Sequence, residues 1–314
     1  MKNLDNIAQQ NKLQEDALYY EYSTSANPIN SGLITEVPFK VFPNSLHETG
    51  LTRIIPLDMS KELNCLYPAT SPALLANFVR ICANENIETE ANATSQLFYV
   101  IRGGGYTKIN DLEIPWKKGD FFVLPANSIA IHHSNSDSAF YYVHDEPLLT
   151  YLGVKAEIQR FRPVLFTAES CKEELNKAIN CEGSEEHNRL SVLLANKKFP
   201  QTRTITHVLW AMFGVVPPHN VQPPHRHQSV AIDFAVESSG NCYTLIGKKI
   251  NVNNQIIDPI KANWHSGSVF ITPPGYWHSH HNESDDPAYV LPMQDAGLHT
   301  YLRTLDIQFT EKKI

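Results

Sequence analysis

Polar and apolar positions along the chain divide it into stretches of different texture. Residues 1 to about 22 are polar and weakly helical in pattern, and residues 23–43 form a proline- and serine-containing approach that reads as an arm or lid. From Ala73 onward the texture changes to short β-rich runs broken by turn residues, as in 96–105, 106–116 and 119–125. Closely spaced strands of this kind predict a sandwich or barrel. After this block, Ser170-Cys-Lys-Glu173 has the capping-box form and good helix formers follow to about Asn180, where Cys181-Glu-Gly183 ends the helix. A second β block starts near Arg189 and runs to Phe309, with 302–309 read as its last strand. The pattern predicts an all-β protein of two barrels, with short helices at the N-terminus and between the barrels. The expected divisions are an arm and the start of the first barrel over 1–72, a first barrel over 73–165, a helical linker over 166–188 and a second barrel over 189–314.

The two β blocks repeat one another. Val100-Ile-Arg-Gly103 corresponds to Ala235-Val-Glu-Ser238, and Gly119-x5-Pro125 corresponds to Gly267-x5-Pro273. Chemistry-bearing residues are not repeated. Residues two apart on a strand point to the same face, so His225 and His227 offer two imidazoles to one point, and His278 is placed to supply a third. Three neutral imidazoles suit a divalent first-row ion and leave coordination positions open. Counting back from the glycines, the first block has Glu90 and Asn92 at the paired places and Ala130 at the third, with His132 and His133 close by but out of step. The first barrel is therefore expected to be a scaffold without a metal.

Composition narrows the partners. With 314 residues, 42% hydrophobic and 19% charged, the chain is long enough for two cores. A formal charge of -7, with no basic stripe, argues against nucleic acid or an anionic membrane and for a small solute. The five cysteines are scattered without C-x-x-C spacing and read as reduced thiols. The polar N-terminus lacks a signal-peptide core, and no stretch of about twenty apolar residues appears, so a cytoplasmic location is the default expectation. Barrels of this kind are expected to associate as homo-oligomers through exposed sheet edges.

Gly267-x5-Pro273-x-Gly275-x2-His278-x3-Asn282 matches a cupin motif at every fixed position, and His225-x-His227 resembles the ligand core of the other. Over 189–309 the chain resembles the gentisate 1,2-dioxygenase group, which includes salicylate and 1-hydroxy-2-naphthoate dioxygenases. The resemblance rests on Arg189-Leu-Ser-Val-Leu-Leu, Thr204-Ile-Thr-His207, Pro224-His-Arg-His227, Trp277-His-Ser-His280 and Leu305-Asp-Ile307, in the same order. It implies a double cupin with iron(II) held by His225, His227 and His278. His280 would lie near the open positions, as a proton or hydrogen-bond partner or as a supporting neighbour of the ligands.

Two departures from that group and one from the general cupin pattern stand out, the last in agreement with the group. The metal-bearing barrel comes second here and first in that group. The general cupin glutamate is replaced by Ala231 or Ile232, which favours a three-histidine site. An arginine of the family's A-L-R-F segment is replaced by Asp233 in Ala231-Ile-Asp233-Phe234, reversing the charge where a guanidinium would pair with a carboxylate. Either the substrate presents an amine or hydroxyl to Asp233, or Arg189, Arg203, Arg226 or Arg303 takes over, or Asp233 is a structural carboxylate paired with one of those arginines. Phe234, Trp264, Tyr276 and Trp277 are either an aromatic wall or simple core. The implied function is an iron(II)-dependent dioxygenase using O2 on a small phenolic or amino-phenolic substrate. A metal-dependent isomerase or lyase without redox chemistry, and a non-catalytic binding protein, are the alternatives.

Overall fold

The computed structural model describes residues 12–310, so the start of the weakly helical stretch, 1–11, lies outside the described residues. The chain divides into two units, Met1–Glu36 and Val37–Ile314. In the first, a short helix Tyr22–Ser25 begins at Glu21, whose carboxylate accepts from the backbone N–H groups of Ser23 and Thr24.

The second unit is built of antiparallel strands. In chain order they are β1 (Val41–Phe42), β2 (Arg53–Pro56), β3 (Leu75–Ile81), β4 (Asn86–Thr89), β5 (Ser95–Arg102), β6 (Gly104–Ile109), β7 (Leu112–Lys117), β8 (Phe121–Pro125), β9 (Ala130–Ser134), β10 (Ser138–His144) and β11 (Val164–Phe166). There follow β12 (Leu190–Leu194), β13 (Trp210–Val216), β14 (Asn220–Arg226), β15 (Ala231–Glu237), β16 (Cys242–Gly247), β17 (Ile260–Asn263), β18 (Val269–Thr272), β19 (Trp277–Asn282), β20 (Ala288–Gln294) and β21 (Gln308–Phe309). Among the described residues they form a six-stranded sheet β11-β8-β5-β10-β3-β2 with a four-stranded sheet β4-β9-β6-β7, and a six-stranded sheet β1-β18-β15-β20-β13-β12 with a five-stranded sheet β17-β16-β19-β14-β21. The all-β, two-barrel expectation holds.

One edge strand crosses to the other barrel. β1 lies in the stretch assigned to the arm and the start of the first barrel, yet it pairs with β18 of the second barrel, while β11 takes the equivalent edge beside β8 of the first. Two local expectations are corrected. The inter-barrel helix is Ala168–Ile179 and is capped by Thr167, whose hydroxyl accepts from Ser170 N–H, so it starts before the Ser170 capping box. The stretch read as a last strand over 302–309 is instead the end of a helix, Ala296–Leu302, then a connection, then β21. Arg303 ends that helix in a left-handed conformation (φ 62°), with its N–H turned back to the carbonyls of His299 and Thr300.

The six-stranded sheets are buried on both faces. Leu97, Tyr99, Phe121 and Tyr141 of the first share one apolar cluster with Phe213, Ile232, Phe234 and Met293 of the second. The Tyr141 hydroxyl crosses this contact to donate to the Ile232 carbonyl at 3.0 Å, and its ring stacks on Phe234 at 5.2 Å. The alternate residues face the barrel interiors, and there the barrels differ. Phe98, Phe122, Phe140 and Trp116 fill the first. In the second interior the register places Val290 and Pro292 where the first has Phe140 and Tyr142, leaving space that aromatic rings occupy in the first.

Gly105 on β6 tests how tightly the first barrel is filled. A Cβ there would lie 2.0 Å from the His133 carbonyl oxygen and 2.9 Å from the Trp116 ring. Gly105→Ala is expected to destabilise the protein by about 1–3 kcal/mol through overpacking, measured as a lower urea midpoint at unchanged m-value; an unchanged midpoint would mean that β6 and β9 have room to separate.

Candidate functional site

The site is built where β14 and β19 pair. Asn220 faces Asn282, Val221 faces His281 and Gln222 faces His280; the register then shifts, and His225 faces His278. The shift falls at Pro223-Pro224, which lack ladder N–H groups, and the Pro224 carbonyl accepts from Thr310 instead. Period two does the rest: His227 lies two residues beyond His225 and returns to the same side.

His225, His227 and His278 are buried, each with a ring nitrogen within 4.8 Å of the others'. Their Nδ1 atoms are occupied. That of His227 is 2.9 Å from the Ser229 carbonyl, that of His278 is 3.1 Å from the Tyr276 carbonyl, and that of His225 is 3.3 Å from the His278 carbonyl. At His227 and His278 an Nδ1–H donated to the carbonyl leaves Nε2 as a lone-pair donor, the form that binds metal; at His225 the Arg189 guanidinium, which only donates, also lies against Nδ1. His227 Nε2 is buried with no hydrogen-bond partner, leaving a lone pair that an ion would satisfy. Burial pushes all three rings toward neutrality. His225 falls well below the ordinary value through burial and then the Arg189 cation, His278 through burial and then His227, and His227 to about 4, with burial outweighing the Ser229 carbonyl. Three neutral imidazoles that bring ring nitrogens within 4.8 Å of one another fit a divalent first-row ion.

The triad opens on a cavity of about 220 Å³ whose lining includes Arg189, Trp210, Asp233, His280 and Phe309. Asp233 lies on β15 between Ile232 and Phe234, which face the other barrel, so it points inward. By the repeat it stands where the first barrel has Phe98, which stacks on Tyr142 and Phe122 and fills that interior. A short acid in place of an aromatic ring leaves this part of the second barrel open. Asp233 Oδ2 accepts from the Thr272 hydroxyl at 2.7 Å. Burial raises its carboxyl to about 7, against the opposing effects of that hydrogen bond and the Arg189 charge. Its hydrogen-bond partner is thus a threonine rather than an arginine.

Of the four arginines considered, Arg189 lines the cavity. Its Nη1 donates to the Asn188 carbonyl and side-chain oxygen at 2.9 and 2.7 Å, its Nη2 donates to the Pro223 carbonyl at 3.0 Å, and the guanidinium abuts His225 Nδ1. Its Nε–H is buried without a partner. Burial pushes it down to about 9, against Asp233, so it remains a cation at neutral pH. Arg226 instead donates to the Gln308 side chain and lies over Trp277.

The aromatic expectations divide. Phe234 faces the other barrel, Trp264 is buried behind His280, and Trp210, which the sequence reading missed, lines the cavity with an unpaired Nε1–H. The signal for Trp210 was present, because Trp210 and Met212 are alternate, partly buried positions on the inward face of β13. His219 lies at the surface beside Asp285.

His280 is neighbour to the triad, 5.7 Å from the His278 ring, and its Nδ1 is 2.8 Å from the Thr244 hydroxyl. His132 and His133, out of step with the ligand positions, are in step with His280 and His281. His132 and His133 face Thr107 and Tyr106, as His280 and His281 face Thr244 and Tyr243. Ala130 stands at the place of His278, as expected. By register it pairs with Thr89, so the place of His225 is Thr89, one residue before the Glu90 expected from spacing.

Asp233→Asn isolates the effect of the buried carboxyl. The folded value near 7 lies above the ordinary 3.8, so the native state holds the proton more tightly than the unfolded chain. The penalty is full above pH 7 and fades as pH falls toward 3.8. Asp233→Asn is expected to raise stability at pH 8 by on the order of 2–4 kcal/mol and to change it little at pH 4, read by urea denaturation. An equal effect at both pH values would exclude ionisation as the cause.

No family model matches the chain. Over 142 residues, 45% of this chain and 38% of the relative, it is 31% identical to gentisate 1,2 dioxygenase 1 of Aquipseudomonas alcaligenes. Over 123 residues, 39% of this chain and 30% of the relative, it is 28% identical to gentisate 1,2-dioxygenase of a Streptomyces species. These matches span well under half of the relatives' own length. In structure, the chain resembles salicylate 1,2-dioxygenase of Pseudoaminobacter salicylatoxidans with a TM-score of 0.73 at 13% identity, over 96% of each chain. A variant of that enzyme in complex with gentisate gives the same score over 98% of this chain and 95% of the other. By sequence over part of its length the chain is similar to gentisate 1,2-dioxygenases, and over nearly all of it the chain has the two-barrel fold of salicylate 1,2-dioxygenase.

Proposed function

We propose that this protein is an iron(II)-dependent ring-cleaving dioxygenase in which His225, His227 and His278 hold the metal and the substrate is recognised differently from gentisate. The observation that carries the reading is the unpaired, buried Nε2 of His227, aimed where the neutral rings of His225 and His278 also bring a nitrogen. Iron(II), when bound, would supply a site for O2 and for the oxygen donors of an aromatic ligand. The chain's own residues bind and orient. The unpaired Nε–H of Arg189 and Nε1–H of Trp210 both call for an acceptor, so an oxygen-rich edge of the substrate is assigned to that wall. Asp233 calls for a donor, so a ring hydroxyl or amino group is assigned to that side. His280, which lines the same cavity, is assigned as a hydrogen-bond partner of the substrate. The aromatic packing beneath the cavity and the loss of an aromatic ring at position 233 leave room for one small solute and little water.

The test uses anaerobically prepared, iron(II)-loaded protein, an oxygen electrode, and a panel of hydroxybenzoates with their amino-substituted analogues. Oxygen uptake with ring-opened product is expected for a phenolic or amino-phenolic member. His225→Ala and His278→Ala should lose metal and turnover together. Full turnover by metal-free protein would overturn the reading, and turnover with zinc under strict anaerobiosis would transfer the site to non-redox chemistry. Exchanging the charge with Asp233→Arg is expected to shift preference toward substrates carrying a carboxylate by tenfold or more in kcat/KM, since a guanidinium–carboxylate pair in a dry site is worth over 1.4 kcal/mol. An unchanged ranking of substrates would remove Asp233 from recognition.

A further inference from the structure

We infer that Trp264 and Thr244 are positioning residues that fix His280 as the tautomer protonated at Nε2, so that its ring offers the cavity an N–H donor and not a proton-accepting nitrogen. The inference deepens the proposed function, on which its ligand assignment rests, and is argued from three hydrogen-bonding groups behind the cavity.

Indole nitrogen only donates. Trp264 Nε1 lies 2.9 Å from Thr244 Oγ1, so the hydroxyl oxygen accepts there. Thr244 is fully buried, and its other hydrogen-bond contact is His280 Nδ1 at 2.8 Å. If Nδ1 carried the proton, ring and indole would both donate to one oxygen and the hydroxyl hydrogen would have no acceptor in a dry interior, at a cost of about 1–3 kcal/mol. With Nδ1 as acceptor every group is satisfied: indole to hydroxyl, hydroxyl to Nδ1, and the ring proton left on Nε2. His280 lines the cavity, so Nε2–H is the polar group available to a ligand there.

The first barrel contains the same arrangement. Trp116 Nε1 donates to Thr107 Oγ1 at 3.0 Å, and Thr107 Oγ1 is 2.7 Å from His132 Nδ1. There the far nitrogen has an acceptor within the protein: His132 Nε2 is 2.8 Å from the hydroxyl of Thr89, the residue at the place of His225. With Thr89 and Ala130 at the matching places and Phe98, Phe122 and Phe140 packed beside it, the N–H is taken up by a threonine. In the second barrel the same N–H points to the open site, where its complement is an oxygen lone pair, such as a phenolate, carboxylate or hydroxyl oxygen.

Metal-free protein labelled with 15N-histidine reports the tautomer directly through long-range 1H–15N correlation, with His280 assigned by its loss in His280→Gln. The wild-type spectrum is expected to show His280 protonated at Nε2 and not at Nδ1. Thr244→Val, which keeps shape but removes the hydroxyl, should shift the ring toward the Nδ1-protonated form or a mixture; Thr244→Ser should restore the wild-type pattern. Affinity of the zinc-loaded protein for salicylate as an oxyanion probe, by calorimetry, should weaken about tenfold in Thr244→Val and recover in Thr244→Ser. An Nδ1-protonated His280 in the wild type overturns the inference even if no variant folds, and an unchanged tautomer in folded Thr244→Val does the same. Because the resonance readout needs neither iron nor turnover, a dioxygenase assignment can fail while this inference stands, and the reverse.

Discussion

The organisation of the second barrel depends on the pairing of β14 with β19. Antiparallel register puts His225 opposite His278, and the two-residue period of a strand returns His227 to the same side. Pro223-Pro224 interrupts the ladder where the register shifts, so the strand end carrying both histidines is held by different bonds from its start. β21 pairs with that end, its Phe309 ring stacked on His225 at 5.6 Å, and Thr310 bonds the Pro224 carbonyl. A one-residue slip would turn the imidazoles to the other face. The carbonyls that occupy each Nδ1 come from the same two strands and their adjoining turns, so register and ring orientation are set together.

The first barrel contributes through packing. Its large sheet covers the back of the sheet that carries Asp233, with Tyr141 bonded to the Ile232 carbonyl and stacked on Phe234. Asp233 is thereby fixed between two residues anchored in the other barrel, while its own side chain faces the cavity. This explains why 230–236 reads as a nearly continuous apolar run with one acid: both faces of the strand are interior there, and the acid marks the place where the interior is not filled. The first barrel solves the same position with Phe98 and has a packed core there.

Much of this was legible in the sequence. The cupin spacing singled out the three histidines that come together in the second barrel, because imidazoles converging from paired strands need fixed intervals. The charge at position 233 was visible as a departure from an expected segment. What the sequence concealed was set by distance along the chain. Arg189 and Trp210 reach the cavity from β12's approach and from β13, and nothing in their spacing to His225 signals that their donors are left unpaired. Trp264, Thr244 and His280 meet across three strands, and only the register reveals that His132 belongs with His280. The helix Ala296–Leu302 was hidden for a local reason. It has seven residues, too few for a clear 3.6-residue period, and stops at an arginine in a conformation that usually signals itself with glycine.

The two barrels together separate what holds an imidazole from what the imidazole is for. Both keep a tryptophan donating to a threonine beside a histidine, and a tyrosine stacked on the next histidine, Tyr106 on His133 and Tyr243 on His281. They differ at the far nitrogen: Thr89 stands where His225 stands, Ala130 where His278 stands, and Phe98 where Asp233 stands. Each difference alters what the ring faces and leaves its support intact. The supporting bonds therefore belong to the fold of each barrel, while the opposing groups determine whether the interior is closed by a hydroxyl and an aromatic ring or left open to a ligand. An acid at 233 and the clustered histidines of the second barrel form one arrangement, since the space beside the imidazoles lies where the bulky ring has been given up.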